Sequence, residues 1–212
     1  MNPSTKLDQY IRARYPVIGI VSHEESRVLA AIREIAALRK RNVVTWSLSA
    51  GMVGMREFTP DYTKDPEEAL RGVLAFLKDP DKGPTLFIFL DLHSILTQNI
   101  MIMRLVRDVV AGFSETRHNL ILLSPSITVP ADLEKSVVVM DWPLPNTEEL
   151  AAVLARCERD LPEQIKVTLN GDRSDVVQSM RGLTIFEAEN VLLSAVTETR
   201  ELGACVVPVI VR

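Results

Sequence analysis

The sequence is poor in cysteine, in aromatics and in any excess of one charge, and each shortage removes a class of protein. Cys157 and Cys205 are its only cysteines, too few for a disulfide framework in 212 residues, which points to a reduced protein of the cytoplasm. The formal net charge is −4 and is spread along the chain, without the basic stripe that a nucleic-acid partner requires. The one basic cluster, Arg39-Lys40-Arg41, closes a helical stretch, where cations suit the helix dipole. The apolar runs at residues 86–90, 120–123 and 137–140 have strand length and fall far short of a membrane span. Met1-Asn2-Pro3-Ser4 has no signal-peptide pattern. No Gly-Lys dipeptide occurs anywhere, so a phosphate loop of the Gly-x-x-x-x-Gly-Lys-Ser/Thr type is missing.

What is present is enough for a core: 47% of residues are hydrophobic and 25% charged. Buried-type strands are expected at residues 16–21, 43–48, 85–90, 119–123 and 137–142, with helices at 5–14, 23–41, 65–78 and 100–113 between them. Strands alternating with helices, each strand apolar on both faces, give an α/β class with a five-stranded parallel sheet flanked by helices. Asp65-Pro66-Glu67-Glu68 supplies a cap, a first-turn proline and an acidic first turn. Past Pro143 the pattern turns purely helical, at 146–159, 172–180 and 184–200, with capping boxes at Asn146/Glu149 and Thr184/Glu187. The expected division is an α/β core over residues 1–143 and a small C-terminal helical lid over 144–212. The closing Val206-Val-Pro-Val-Ile-Val-Arg212 is apolar and needs cover, either from the helical part or from further chain.

The first strand runs into Ser22-His23-Glu24-Glu25, a junction of the kind that holds phosphate on helix N-terminal amides. Ser22 and Glu25 stand at capping-box spacing, and Glu24 and Glu25 would repel a phosphate there. Asp91 ends the apolar strand Leu86-Phe-Ile-Phe-Leu90, where ligands of α/β sheets bind. It reads either as a magnesium carboxylate or as a turn cap. Ser124 ends the next strand, as a sensor of phosphate or as the start of a Ser-Pro turn. His23, His93 and His118 have no metal-site spacing, and no metal is expected. Neither cysteine has an evident paired base. The loop Gly51-Met-Val-Gly-Met55 offers Met52, Val53 and Met55 either as an adaptable interaction surface or as core filler.

In this order of parts the chain resembles an AAA+ ATPase module: five strands with helices, an aspartate after the third strand, and Asp141-Trp-Pro-Leu-Pro145 leading into a helical lid. More narrowly it resembles the first module of an AAA+ family of cyanobacteria, other bacteria and algal plastids. The resemblance lies in Tyr15-Pro-Val-Ile18, Phe87-Ile-Phe-Leu-Asp-Leu-His93, Ile121-Leu-Leu-Ser-Pro125, Val129-Pro-Ala-Asp-Leu-Glu-Lys135, Asp141-Trp-Pro-Leu-Pro145 and Gly182-Leu-Thr-Ile-Phe-Glu-Ala-Glu189. It implies an N-terminal module without a phosphate loop, followed by a second module that binds ATP and magnesium and hydrolyses ATP. Asp91 would then be a vestigial magnesium-site aspartate and Ser124 a vestigial sensor. Only Lys135 stands where the family's trans-acting arginine is sought.

Three readings follow. The chain is a non-hydrolysing module serving assembly, substrate recruitment or regulation of an attached ATPase, with no cofactor of its own. Its partners would be that second module or other copies in a ring, and a protein client. Alternatively it is an atypical ATPase using Asp91. The third reading is a receiver-like signalling domain phosphorylated on Asp91.

Overall fold

The computed structural model describes residues 2–113, 116–162, 164–169 and 171–211. The chain divides into two units, Met1–Trp142 and Pro143–Arg212.

The first unit opens with α1 (Pro3–Arg12), where Asn2 accepts from the Ser4 N–H at 2.9 Å. The elements β1 (Val17–Val21), α2 (Glu25–Leu38), β2 (Asn42–Ser47) and β3 (Gly51–Val53) follow. Next come α3 (Pro66–Phe76), β4 (Thr85–Leu90), α4 (His93–Leu96), α5 (Ile100–Phe113), β5 (Asn119–Ser124) and β6 (Val137–Asp141). Asp65 caps α3 as expected, accepting from the Glu67 N–H at 2.8 Å. The sheet order is β3-β2-β4-β5-β1-β6, with β2, β4, β5, β1 and β6 parallel and β3 antiparallel to β2.

Two features correct the sequence reading. The sheet has six strands, because Gly51–Val53 pairs with β2 through Thr45↔Val53, Trp46↔Met52 and Ser47↔Gly51. Receiver domains place their first strand between the second and third parallel strands. Here β1 lies between β5 and β6, so the receiver-like reading fails on topology.

Strand residues alternate between the two sheet faces and so feed two cores. Ile18, Ile20, Leu86, Ile88, Ile121 and Leu123 pack with Leu7 and Ile11 of α1 and Val28 and Ile32 of α2. On the other face Val17, Phe87, Phe89, Leu120 and Leu122 meet Leu70 and Val73 of α3 and Val106 and Val109 of α5. Each such side chain contributes about 1.5–3 kcal/mol on burial.

The sheet's opposite end, at the starts of β4 and β5, is fastened by a polar knot. The Thr85 N–H donates to Nδ1 of buried His118 at 3.1 Å, and the ring sits among Phe76, Phe87 and Phe113. Arg41 donates to the Arg117 carbonyl at 2.7 Å and to Asn119 Oδ1 at 2.5 Å. Burial first, then the Arg41 cation, hold the His118 pKa below its ordinary value.

The second unit contains α6 (Thr147–Asp160), β7 (Lys166–Val167), α7 (Arg173–Ser179), α8 (Ile185–Thr199), β8 (Glu201–Leu202) and α9 (Val207–Ile210). Both capping boxes form, at Asn146/Glu149 and Thr184/Glu187. The short β7 and β8 pair in parallel, which the helical pattern did not foretell. Leu150, Leu154, Val176, Met180, Leu192 and Leu202 form its core, and Val207, Val209 and Ile210 of the apolar terminus pack against it.

Candidate functional site

At the carboxyl end of the sheet, β1 stops at Val21 and α2 starts at Glu25, so Ser22, His23 and Glu24 alone make the turn. A phosphate loop needs a longer glycine-bearing segment whose amides can wrap an anion. Ser22 is buried and engaged twice: its N–H donates to the Ser124 carbonyl at 2.9 Å, and its Oγ accepts from the Glu24 N–H at 3.0 Å. The Ser22/Glu25 capping box expected from spacing is not formed. Ser22 instead closes a turn two residues long, and Glu24 takes the N-cap position. The Glu24 carboxylate forms an ion pair with Arg27 one turn on, and its side chain is only 7% exposed. An anion approaching this helix end finds no lysine, and the acidic side chain that stands there is already paired with Arg27.

Asp91 follows β4 in the left-handed region, at φ 55°, a conformation costly for a non-glycine residue. Its N–H donates to the Leu123 carbonyl at 3.1 Å, and its own carbonyl accepts from Ser94 Oγ at 2.9 Å. The carboxylate turns toward β5, where Oδ1 accepts from Ser124 Oγ at 2.9 Å. The structure thus joins the two candidates that the sequence placed on separate strands. Ser124 is 3% exposed, so this bond satisfies a nearly buried hydroxyl. Asp91 opens onto a cleft of about 560 Å³ with Glu25, Trp46, Ser47, Leu90 and Ser94. Ser94, missed in the sequence, anchors the strained turn; nothing in its local pattern marked it.

The magnesium–nucleotide group that an AAA architecture implies does not fit these residues. The turn is too short, a lysine is absent, and Glu24 stands at the helix end. Among the described residues no group of three or more His, Cys, Asp or Glu is placed to hold a metal ion. His118 lies in the knot at the starts of β4 and β5, whereas His93 opens α4.

The interaction loop divides. Met52 is 0% exposed and lies in the core with Trp46 and Phe58, its N–H donating to Thr63 Oγ1 at 2.8 Å. Met55 is half-buried against the same core. Only Val53, at 50%, faces solvent. Strand alternation is the reason: in β3 Met52 points into the sheet's inner face and Val53 to the other. Met52 is therefore removed from the expected interaction surface, and Met55 is only partly exposed there.

Comparison with known proteins bears on the family and the fold. Residues 3–142 match the family model described as SpoVK-like AAA ATPase, N-terminal domain. The AAA domain-containing protein ycf46 of Guillardia theta is 24% identical over 91% of this chain and 37% of its own length. Its counterpart in Pyropia yezoensis is 24% identical over 100% of this chain and 42% of its own length. The chain thus spans well under half the length of these relatives. Among solved structures, C. elegans PCH-2 superposes with a TM-score of 0.53 at 9% identity, covering 100% of this chain and 68% of that one. A chain from a study of katanin self-assembly gives 0.56 at 12% identity, covering 92% and 63%. At such identities the likeness concerns the fold alone. The match over residues 3–142 spans the whole sheet and its helices, and the chain belongs to the SpoVK-like AAA ATPase N-terminal domain family.

Proposed function

We propose that this chain is a non-hydrolysing AAA module that serves the assembly or regulation of an ATP-hydrolysing module, or recruits its substrate. The observation that carries the reading is the three-residue β1–α2 turn, with the Ser22 and Glu24 amides both hydrogen-bonded within the protein and the Glu24–Arg27 pair at the helix end. A helix N-terminus holds phosphate through free amides and positive potential. Here two amides of the turn, those of Ser22 and Glu24, are spent inside the protein, and the residue at the helix end is a carboxylate paired with Arg27 in place of a lysine. The relatives, of which the chain spans 37% and 42%, have length for further modules. Self-association, the subject of the katanin structure, is the mode of assembly that this fold suggests for the chain. Among the described residues no helix is long and apolar enough to cross a membrane.

The test is titration of a fluorescent ATP analogue, with magnesium, onto the purified chain. Signal that fails to saturate up to millimolar concentration supports the proposal, and micromolar saturable binding overturns it. The rival reading, an atypical ATPase using Asp91, requires in addition phosphate release that disappears in Asp91→Ala.

A further inference from the structure

The two faces of the sheet are unequally covered. The face carrying Phe87 and Phe89 packs on α3 and α5, while the other packs on α1 and α2. On that second face the β2–β3 ribbon is left open. Val43, Thr45 and Ser47 of β2 are half-buried, and Val53 lies directly opposite Thr45. Residues directly opposite in an antiparallel pair share a face. A groove of about 440 Å³ runs between this ribbon and α2, walled by Glu25, Leu29 and Arg33.

An added β-strand cannot use this edge. The Met52 N–H, which would begin a new ladder, is taken by Thr63 Oγ1 at 2.8 Å. A Cβ placed on Gly51 would lie 1.9 Å from the Pro60 carbonyl oxygen, so the 60–63 segment lies hard against the strand. What remains available is the face, and the cover already present on that face is helical, from α1 and α2. The six residues of β2 span about 20 Å, which a helix of about 14 residues matches.

The charges select a direction. Glu25 and Arg33 stand eight positions apart on one side of α2, about 12 Å along its axis. Glu25 is the one acidic and Arg33 the one basic residue among those that line the groove. A helix alongside α2 would set an acidic residue against Arg33 and a basic residue against Glu25. Helices favour acids in the first turn and bases in the last. Both preferences are met when the incoming helix runs antiparallel to α2. We propose that the open β2–β3 face beside α2 is the docking site for an amphipathic helix of a partner protein, oriented antiparallel to α2, with an acidic first turn and a basic last turn.

The experiment uses two labelled peptides of about 14 residues and identical composition. Both have apolar residues at i, i+3, i+4 and i+7. One carries Glu in the first turn and Lys in the last, and the other has these exchanged. Fluorescence anisotropy is read with the full chain, without nucleotide, so the result is independent of the ATP-binding question. The first peptide should bind about five-fold more tightly, as two exposed ion pairs allow. The double variant Glu25→Lys with Arg33→Glu alters only exposed positions and should invert the preference. Val53→Asp should weaken both peptides. Absence of saturable binding, equal affinity for the two peptides, or a preference unchanged in the double variant overturns the proposal.

Discussion

Replacing Met52 by Ala tests whether the glycine–methionine segment is structure or surface. Met52 has no exposed area and packs in the cluster that holds Trp46, Phe58 and Phe89. Truncating a buried methionine costs about 2–5 kcal/mol, part lost transfer energy and part residual cavity. The Met52 N–H is held by Thr63 Oγ1, which is itself tied to the Thr59 carbonyl, so the backbone there cannot readily collapse and the middle of that range, about 3 kcal/mol, is the expectation. The chain has two units, so a global two-state fit is inappropriate. Both tryptophans, Trp46 and Trp142, lie in the first unit, and intrinsic fluorescence in urea therefore follows that unit alone. With a slope of about 2 kcal/mol/M, the midpoint should fall by about 1.5 M. Val53→Ser, one residue away but half-exposed, should stay within about 0.5 kcal/mol of the parent. Equal midpoints for Met52→Ala and the parent would refute the assignment of this segment to the core.

Gly51→Ala should destabilise the first unit by at least about 2 kcal/mol, because φ is +70° and the added Cβ meets the Pro60 carbonyl; an unchanged urea midpoint would contradict that packing. The stability of the first unit should be greatest above the ordinary histidine pKa of 6.5 and decline as pH falls below it toward the depressed value of folded His118. In that window the unfolded chain takes up a proton that the folded ring refuses, and stability rising with acid there would refute it. Asp91→Ala should cost about 1–3 kcal/mol by leaving the nearly buried Ser124 hydroxyl without its acceptor, and the test is whether Ser124→Ala abolishes the difference. In the second unit, Asn146→Ala should cost about 1 kcal/mol, read from helical circular dichroism while tryptophan fluorescence stays unmoved.

Much of the architecture is legible because its signals are local. Asp65-Pro66 and the boxes at Asn146/Glu149 and Thr184/Glu187 announce their helices through bonds made within one turn. The apolar runs that became β4 and β5 can only be buried strands at that length. What escaped depends on partners distant in sequence. Ala50-Gly-Met-Val-Gly54 has neither length nor β-branched density, and it becomes a strand only because β2 offers an edge and Thr63 closes the other side. Sheet order, which separates this fold from a receiver, is likewise absent from any local pattern. At the site, the positions of Asp91 and Ser124 after their strands were readable, and their mutual hydrogen bond was not. That Ser22 stays with the sheet, its N–H donating to the Ser124 carbonyl, while Glu24 takes the N-cap was not readable, because that contact spans 102 residues of sequence (124 − 22).

The central claim is that a carboxylate and a closed turn stand where a triphosphate would have to lie. Crystals grown with millimolar ATP and magnesium test it most directly. The account predicts no phosphate density on the amides of residues 22–25, with the Glu24–Arg27 pair intact. A triphosphate seated at that helix end, with Glu24 displaced, would contradict it.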